Sequence, residues 1–191
     1  MKRLFDIIFS IIGIVFLFPL FIFLWILIRI KMPDGSPIFT QKRVGKGARL
    51  FVIYKFRTMR IHHGGGSISV AGEARITPLG AKLRKYKLDE LPELWNVLIG
   101  DMSFVGPRPD VEGFADNLKG EDRKILELKP GITGPASLKY KNEEEILAKV
   151  KDPIKYNNEV IFPDKIKINL NYYYNNSLFG DIKLILQTLF G

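Results

Sequence analysis

The sequence lacks cysteine and contains only two histidines, His62 and His63, which are adjacent. The absence of cysteine excludes disulfides, thiolate metal sites and a thiol nucleophile. Two neighbouring histidines with no further histidine or cysteine make a poor metal pair, so any metal must be held by other oxygen or nitrogen ligands. The glycine-rich residues 62–67 are predicted to form a loop without a function of their own.

Acidic residues are scarce in the first 60 positions, where eleven Lys and Arg face only Asp6 and Asp34. The positive excess therefore flanks the hydrophobic segment of the chain, which is typical of attraction to anionic phospholipid headgroups. No basic-aromatic recognition module occurs outside that segment, so nucleic acid is not expected as a partner.

Residues 7–28 carry no charge and are long enough to cross the roughly 30 Å hydrocarbon core of a bilayer as a helix. Pro19 lies in the middle of this run and is expected to bend the helix there. Basic residues precede and follow the run, which favours placing both of its ends on the cytoplasmic side. A helix-break-helix hairpin that re-enters the cytoplasm satisfies both observations, while a kinked transmembrane helix stays open as the alternative.

After a turn cluster at residues 33–37, the pattern predicts a β-hairpin with strands at residues 38–43 and 50–56. Side chains alternate along a strand, so Lys55 and Arg57 are predicted to share one face. Helices are predicted at residues 77–87, 89–99, 111–128, 143–150 and 181–190, and the last one either packs on the core or lies on a membrane surface. The fold class is therefore α+β, with a mainly helical domain and a small β-hairpin after the membrane hairpin.

The acidic residues at positions 88–94 allow two interpretations. In the structural one, Asp89 caps a helix while Glu90 and Glu93 complement the helix dipole. In the functional one, Asp89 and Glu90 hold Mg²⁺ together with phosphate oxygens, and the aspartate forms an acyl phosphate as a nucleophile.

Two arginines in the same part of the chain favour phosphate chemistry. Arg84 lies five residues before Asp89, and Arg108 is held between Pro107 and Pro109, which restrict the backbone. A planar guanidinium can donate two parallel hydrogen bonds to a phosphate. A rigid turn with a solvated arginine is the plainer interpretation of residues 107–109.

Four segments carry a family resemblance. They are residues 55–59 (Lys-Phe-Arg-Thr-Met), 88–98 (Leu-Asp-Glu-Leu-Pro-Glu-Leu-Trp-Asn-Val-Leu), 100–109 (Gly-Asp-Met-Ser-Phe-Val-Gly-Pro-Arg-Pro) and 129–134 (Lys-Pro-Gly-Ile-Thr-Gly). With them the chain resembles the small monotopic phosphoglycosyl transferases, also called bacterial sugar transferases. The central run is long enough to make chance agreement negligible.

The resemblance implies a re-entrant membrane helix at residues 1–32, broken at Pro19. It also implies a catalytic domain at residues 33–191 on the cytoplasmic face of the bacterial inner membrane, which makes the protein monotopic. Relatives often have serine before the breaking proline, whereas this chain has Phe18.

The resemblance also implies a reaction. Asp89 would attack the sugar-bearing phosphate of a UDP-sugar, release UMP and hold the phosphosugar until polyprenyl (undecaprenyl) phosphate accepts it. Glu90 would be a Mg²⁺ ligand, with Asp89, or an acid/base partner. Arg84 and Arg108 would contact phosphate, and Asp181 would be a further active-site carboxylate. Lys55 and Arg57 would bind the acceptor phosphate or a lipid headgroup.

The sugar is left open because residues 135–140 depart from the pattern of many relatives. Two other functions are kept as alternatives: a membrane-bound nucleotide-sugar hydrolase, and a non-catalytic membrane anchor that recruits glycosyltransferases. A second copy of the chain and downstream glycosyltransferases are further partners that the sequence leaves open.

Overall fold

The computed structural model describes residues 1–61 and 74–191, so the histidine pair and the predicted loop at residues 62–67 lie outside the described residues. The helices are α1 (Lys2–Lys31), α2 (Pro78–Lys85), α3 (Glu93–Ile99), α4 (Pro135–Lys139), α5 (Glu143–Ala148), α6 (Pro153–Tyr156), α7 (Phe162–Asn175) and α8 (Leu178–Phe190). The strands are β1 (Ile38–Val44), β2 (Leu50–Phe56), β3 (Ser103–Val105) and β4 (Gly131–Thr133). The described chain is α+β and mostly helical, as predicted.

Helix α1 is the long apolar element and is one continuous α-helix that includes Pro19. The two helical halves expected on either side of this proline therefore form a single element. Val15 and Phe16 in its middle are 69% and 81% exposed. A long apolar helix with so little burial indicates membrane association.

The N-terminal end of α1 is fixed to the rest of the chain by charged side chains. The guanidinium of Arg3 donates to the carbonyl oxygens of Val97 (2.5 Å) and Leu98 (2.7 Å) at the end of α3. The buried carboxylate of Asp6 accepts hydrogen bonds from Ser103 Oγ (3.1 Å) and Phe104 N (3.2 Å) in β3. These polar contacts place the first turns of α1 against the domain.

The C-terminal end of α1 packs on the same domain through apolar side chains. Leu24, Ile28 and Met32 form a buried cluster with Phe56 of β2 and Leu83 of α2. Both ends of the helix are thus bound to one domain, while its middle is exposed.

The predicted β-hairpin is confirmed. Strands β1 and β2 pair antiparallel, with Ile38 opposite Phe56 and Val44 opposite Leu50. Gly47 in the connection has a φ of 67°, a left-handed conformation that glycine adopts without strain.

Two helices follow the hairpin, close to where they were predicted. Helix α2 begins after Thr77, whose side chain accepts a hydrogen bond from Gly80 N at 2.9 Å. The predicted helix at residues 89–99 is divided into a 3₁₀ turn at Leu88–Glu90 and helix α3, which ends at Gly100 with a φ of 99°.

The helix predicted at residues 111–128 is wrong. The structure has 3₁₀ segments at Ala115–Asn117 and Gly120–Glu127 instead. Gly113 and Gly120 have φ values of 98° and 57°, and these left-handed positions interrupt a continuous α-helix.

Residues 131–133 form strand β4, which pairs parallel with β3. This two-stranded sheet requires close backbone approach, because a Cβ on Gly131 would collide with the backbone of Gly106.

The C-terminal helices differ in how they pack. Helix α7, which the sequence pattern did not indicate, buries Ile166, Asn169 and Tyr172. Helix α8 contacts β3 and β4, yet Leu189 and Phe190 near its end are 68% and 84% exposed. The last helix therefore packs on the core along only part of its surface.

Candidate functional site

A cleft of about 1490 Å³ lies between the hairpin, α2, the 3₁₀ turn at Leu88–Glu90 and the C-terminal helices. Six of the seven predicted catalytic and phosphate-binding residues line it: Lys55, Arg57, Arg84, Asp89, Glu90 and Arg108. Lys55 and Arg57 both line this cleft, as does Phe56 between them, so their position there does not test the predicted alternation. The volume is ample for a nucleotide-sized ligand, since pockets for small molecules are usually about 300–1,000 Å³.

Asn96 of α3 positions the acidic turn against the hairpin. It is fully buried, and its carboxamide donates to Val52 O (2.7 Å) and accepts from Tyr54 N (3.1 Å) on the free edge of β2. Lys55 follows directly on this strand, so the same contact sets the distance between Lys55 and the carboxylates.

Asp89 does not cap α3, so the structural interpretation of this residue is wrong. Pro92 occupies the N-cap position of α3, and Asp89 lies one turn earlier, in the 3₁₀ turn that follows the left-handed residue Lys87. The carboxylate of Asp89 is therefore not occupied by capping the helix.

Glu90 is an ion-paired carboxylate. One of its oxygens, Oε1, lies 3.0 Å from Lys55 Nζ and 2.7 Å from Arg108 Nη2. Burial alone would raise the pKa of Glu90, but the charges and hydrogen bonds of Arg108 and Lys55 lower it well below its ordinary value. Glu90 is thus held as an anion at any working pH.

Asp89 is next to Glu90 in the chain but has a different environment. Its side chain is buried, and no Lys, Arg or His among the described residues lies within ion-pair distance of it. Burial, followed by the charge of Glu90, raises the pKa of Asp89, and the more distant Lys55, Arg84 and Arg108 offset only part of this. Within the described part of the chain, Glu90 is therefore an anion paired with two cations, whereas Asp89 has no cation within ion-pair distance.

Glu93 is a third carboxylate of the site, which sequence reasoning assigned only to the helix dipole. Its side chain is 2% exposed, and its Oε1 lies 3.0 Å from Lys55 Nζ. Burial raises the pKa of Glu93 to about 7, although Lys55 acts in the opposite direction. The sequence signal that could have identified Glu93 as a site residue is its position three residues after Glu90, because this spacing places two residues on one helix face.

Arg57 lines the cleft, but its guanidinium is bound to the loop after α1. It donates to Asp34 Oδ1 (2.8 Å), Ser36 O (2.8 Å) and the carbonyl oxygen of Met32. These contacts join the end of the membrane helix to the end of β2.

Arg84 and Arg108 line the cleft with part of each side chain accessible. Arg84 donates to Thr58 Oγ1 (3.0 Å) and to Glu144 Oε1 (2.7 Å), a partner on α5 that no sequence pattern indicated. The side chain of Arg108 is 43% exposed beside its contact with Glu90. Both arginines can therefore meet a ligand in the cleft.

The structure does not bring Asp181 to the cleft. Its buried carboxylate contacts Lys2 Nζ of α1 and the hydroxyl of Tyr172. Burial, together with the hydrogen bond to Asp181, raises the pKa of Tyr172, which therefore stays a hydrogen-bond donor. Asp181 fixes the start of the membrane helix in this arrangement.

Comparison with known proteins yields one family. The sequence model described as "Bacterial sugar transferase" matches residues 1–191.

The names of two curated relatives both describe transfer of a sugar phosphate to undecaprenyl phosphate, but they name different sugars. The chain is 35% identical over 98% of its length to a UDP-N-acetylgalactosamine-undecaprenyl-phosphate N-acetylgalactosaminephosphotransferase of Aeromonas hydrophila. It is also 35% identical, over 98% of its length, to a UDP-glucose:undecaprenyl-phosphate glucose-1-phosphate transferase of Xanthomonas campestris pv. campestris. The chain spans only 42% and 37% of these two proteins. It covers 85% of the uncharacterized sugar transferase EpsL of Bacillus subtilis, at 33% identity.

Proposed function

This chain belongs to the bacterial sugar transferase family, and we propose that it transfers a sugar 1-phosphate from a UDP-sugar to polyprenyl phosphate, with release of UMP. The observation that carries the proposal is the contrast between two adjacent buried carboxylates. Glu90 is paired with Lys55 and Arg108, whereas Asp89 lines the same cleft without a paired cation among the described residues.

Asp89 is the nucleophile in this proposal. A carboxylate oxygen of Asp89 bonds to the phosphorus that carries the sugar, and the bond from that phosphorus to the bridging oxygen breaks. The bridging oxygen leaves with its electron pair as part of UMP. A phosphate oxygen of the polyprenyl phosphate then attacks the same phosphorus, and the bond to Asp89 breaks, which regenerates the carboxylate. Dividing the displacement in this way avoids bringing two anionic substrates together in one step.

The cations of the cleft stabilise the phosphate oxygens. Arg84 and Arg108 are accessible and can donate to the diphosphate of the donor, and electrostatic stabilisation of this kind is often the largest contribution to catalysis. Lys55 holds Glu90 as an anion beside the nucleophile.

Asp89 and Glu90 also suit Mg²⁺, because this ion is commonly bound by one or two carboxylates together with substrate phosphates. Within residues 1–61 and 74–191, no group of three or more His, Asp or Glu side chains is placed to hold a metal alone. Diphosphate oxygens and water would complete the ligand set. When bound, the ion would neutralise charge on the phosphate that leaves.

We also propose that α1 bends at Pro19 within the membrane and re-enters, so that both of its ends lie at the cytoplasmic face of the inner membrane. Arg3 at one end and Met32 at the other contact the same domain, while Val15 and Phe16 between them are exposed. A helix that crossed the membrane would carry its two ends to opposite faces, where one domain cannot bind both.

The chemistry is tested by UMP release from a panel of UDP-sugars with polyprenyl phosphate and Mg²⁺ in detergent. Asp89→Asn is expected to abolish release and Glu90→Gln to reduce it at least about 100-fold, a loss typical of electrostatic groups in active sites. The exposed Asp122→Asn and Glu112→Gln are matched controls that should retain full activity. Full turnover by Asp89→Asn would contradict the mechanism.

Product analysis separates this proposal from the hydrolase and anchor alternatives. Sugar label should move into the organic phase with the transferase and stay in water with a hydrolase. A non-catalytic anchor predicts that Asp89→Asn and Glu90→Gln leave glycan assembly in cells intact.

The topology is tested with single cysteines, since the chain has none of its own. Lys2→Cys and Lys31→Cys should react with an impermeant thiol reagent from the same side of the membrane. Labelling from opposite sides would contradict the re-entrant arrangement.

A further inference from the structure

Helices α4 and α7 each contribute to the cleft a residue with a buried polar atom that has no hydrogen-bond partner among the described residues. Asn169 of α7 is only 6% exposed, and its Oδ1 accepts no hydrogen bond from any described residue. Ser137 Oγ of α4 is likewise buried without a partner in the described part of the chain. Both residues line the cleft that contains Asp89 and Glu90.

A third such atom belongs to Arg43 at the end of β1. Its Nη1 donates to Pro109 O (3.3 Å) and its Nη2 to Gln41 Oε1 (2.7 Å), but its Nε has no partner among the described residues. Buried polar groups are nearly always hydrogen-bonded in folded proteins, so each unpaired atom calls for an explanation. Three in one cleft indicate a ligand that supplies the missing partners.

Arg43 contacts the turn that contains Arg108. Pro109, which accepts from Arg43, directly follows Arg108. Val44, the neighbour of Arg43, packs with Ile166 one turn before Asn169 in a single core cluster. A donor whose diphosphate lies at Arg108 would therefore lie beside Arg43, in the same cleft that Asn169 and Ser137 line.

The unpaired atoms differ in what they need. Asn169 Oδ1 is an acceptor and requires an N–H or O–H from the ligand, while Arg43 Nε is a donor and requires an acceptor. Ser137 Oγ can serve either way. An amide group offers both an N–H and a C=O, so this set matches an amide better than it matches an anion or an apolar group.

We propose that Asn169, Ser137 and Arg43 Nε bind an amide of the donor, either the uracil imide or an N-acyl group on the sugar. The inference rests on the proposed function, because it identifies how the same cleft selects its UDP-sugar.

The test compares UMP release by the full chain from UDP-N-acetylgalactosamine and from UDP-galactose, which has a hydroxyl in place of the acetamido group. For Asn169→Ala and Ser137→Ala we expect the donor KM to rise about 10-fold, equivalent to about 1.4 kcal/mol, with kcat changed much less. Asn175→Ala, an exposed asparagine on the same helix, is the matched control and should behave as the wild type.

The pattern of KM values identifies the amide. A rise confined to UDP-N-acetylgalactosamine assigns the subsite to the sugar, and an equal rise for both donors assigns it to uracil. Unchanged KM values for both donors in both variants would overturn the proposal. If Asn169→Ala lowers the unfolding temperature, the KM values of Ser137→Ala, which is the smaller structural change, decide whether the proposal holds.

Titration calorimetry with both UDP-sugars distinguishes this failure from failure of the proposed function. Wild-type protein that binds a donor without releasing UMP would defeat the transferase proposal, and the affinities of the variants would still test the subsite. Wild-type protein that releases UMP while the variants keep wild-type affinity would defeat the subsite alone.

Discussion

Replacing Glu93 with glutamine should stabilise the protein above neutral pH and leave its stability unchanged near pH 4. Glu93 is 2% exposed and shares the single ammonium of Lys55 with Glu90. Burial raises its pKa from an ordinary 4.5 to about 7. Between these two values the folded state keeps a proton that the unfolded state has released, so stability falls as the pH rises.

The magnitude follows from the two pKa values. At about 1.4 kcal/mol for each pH unit between 4.5 and 7, the ionised carboxylate costs about 3 kcal/mol at pH 8. Glutamine has the same shape and cannot ionise, so this cost disappears in the variant. For a chain of this length, about 3 kcal/mol corresponds to a rise in Tm of about 6–12 °C.

The assay is thermal unfolding in detergent at pH 4, 6 and 8 for the wild type and Glu93→Gln. The difference in Tm should grow from near zero at pH 4 to its full size at pH 8. The exposed Glu112→Gln serves as a control and should show no such trend. A difference that is independent of pH, or a variant less stable than the wild type at pH 8, would refute the reasoning.

Two further predictions concern the contacts that position the site and the membrane helix. Asn96→Leu should lower the free energy of unfolding by about 2–5 kcal/mol, because it leaves two backbone groups of β2 unpaired in the interior. Denaturant titration measures this change, and a loss under about 1 kcal/mol would contradict the prediction. A double-mutant cycle of Lys2→Met and Asp181→Asn should give a coupling energy of about 0.5–3 kcal/mol, and strictly additive effects on unfolding would show that this pair does not fix α1.

Local signals were sufficient for several elements. Glycines at 45 and 47 between alternating segments predicted the hairpin, and Thr77 followed by proline predicted the start of α2. These elements depend on neighbouring residues, which sequence patterns report directly. The helix predicted at residues 111–128 is wrong because the composition of this segment suits a helix, whereas Gly113 and Gly120 adopt left-handed conformations that composition does not reveal.

Non-local contacts account for the rest. Strands β3 and β4 are three residues each and are defined only by their pairing with each other. Helix α7 is rich in Asn and Tyr, which have modest helix propensity, and packing of Ile166, Asn169 and Tyr172 stabilises it. The same limit applies to the site, where the motif located Asp89 and Glu90 but their unequal environments come from distant Lys55 and Arg108.

The most direct test of the central claim is mass spectrometry of protein incubated with a UDP-sugar and Mg²⁺ in the absence of polyprenyl phosphate. The carboxylate of Asp89 should carry the mass of one sugar phosphate, and the adduct should disappear when polyprenyl phosphate is added. An adduct on any other residue, or transfer of the phosphosugar that proceeds while residue 89 is asparagine, would contradict the account.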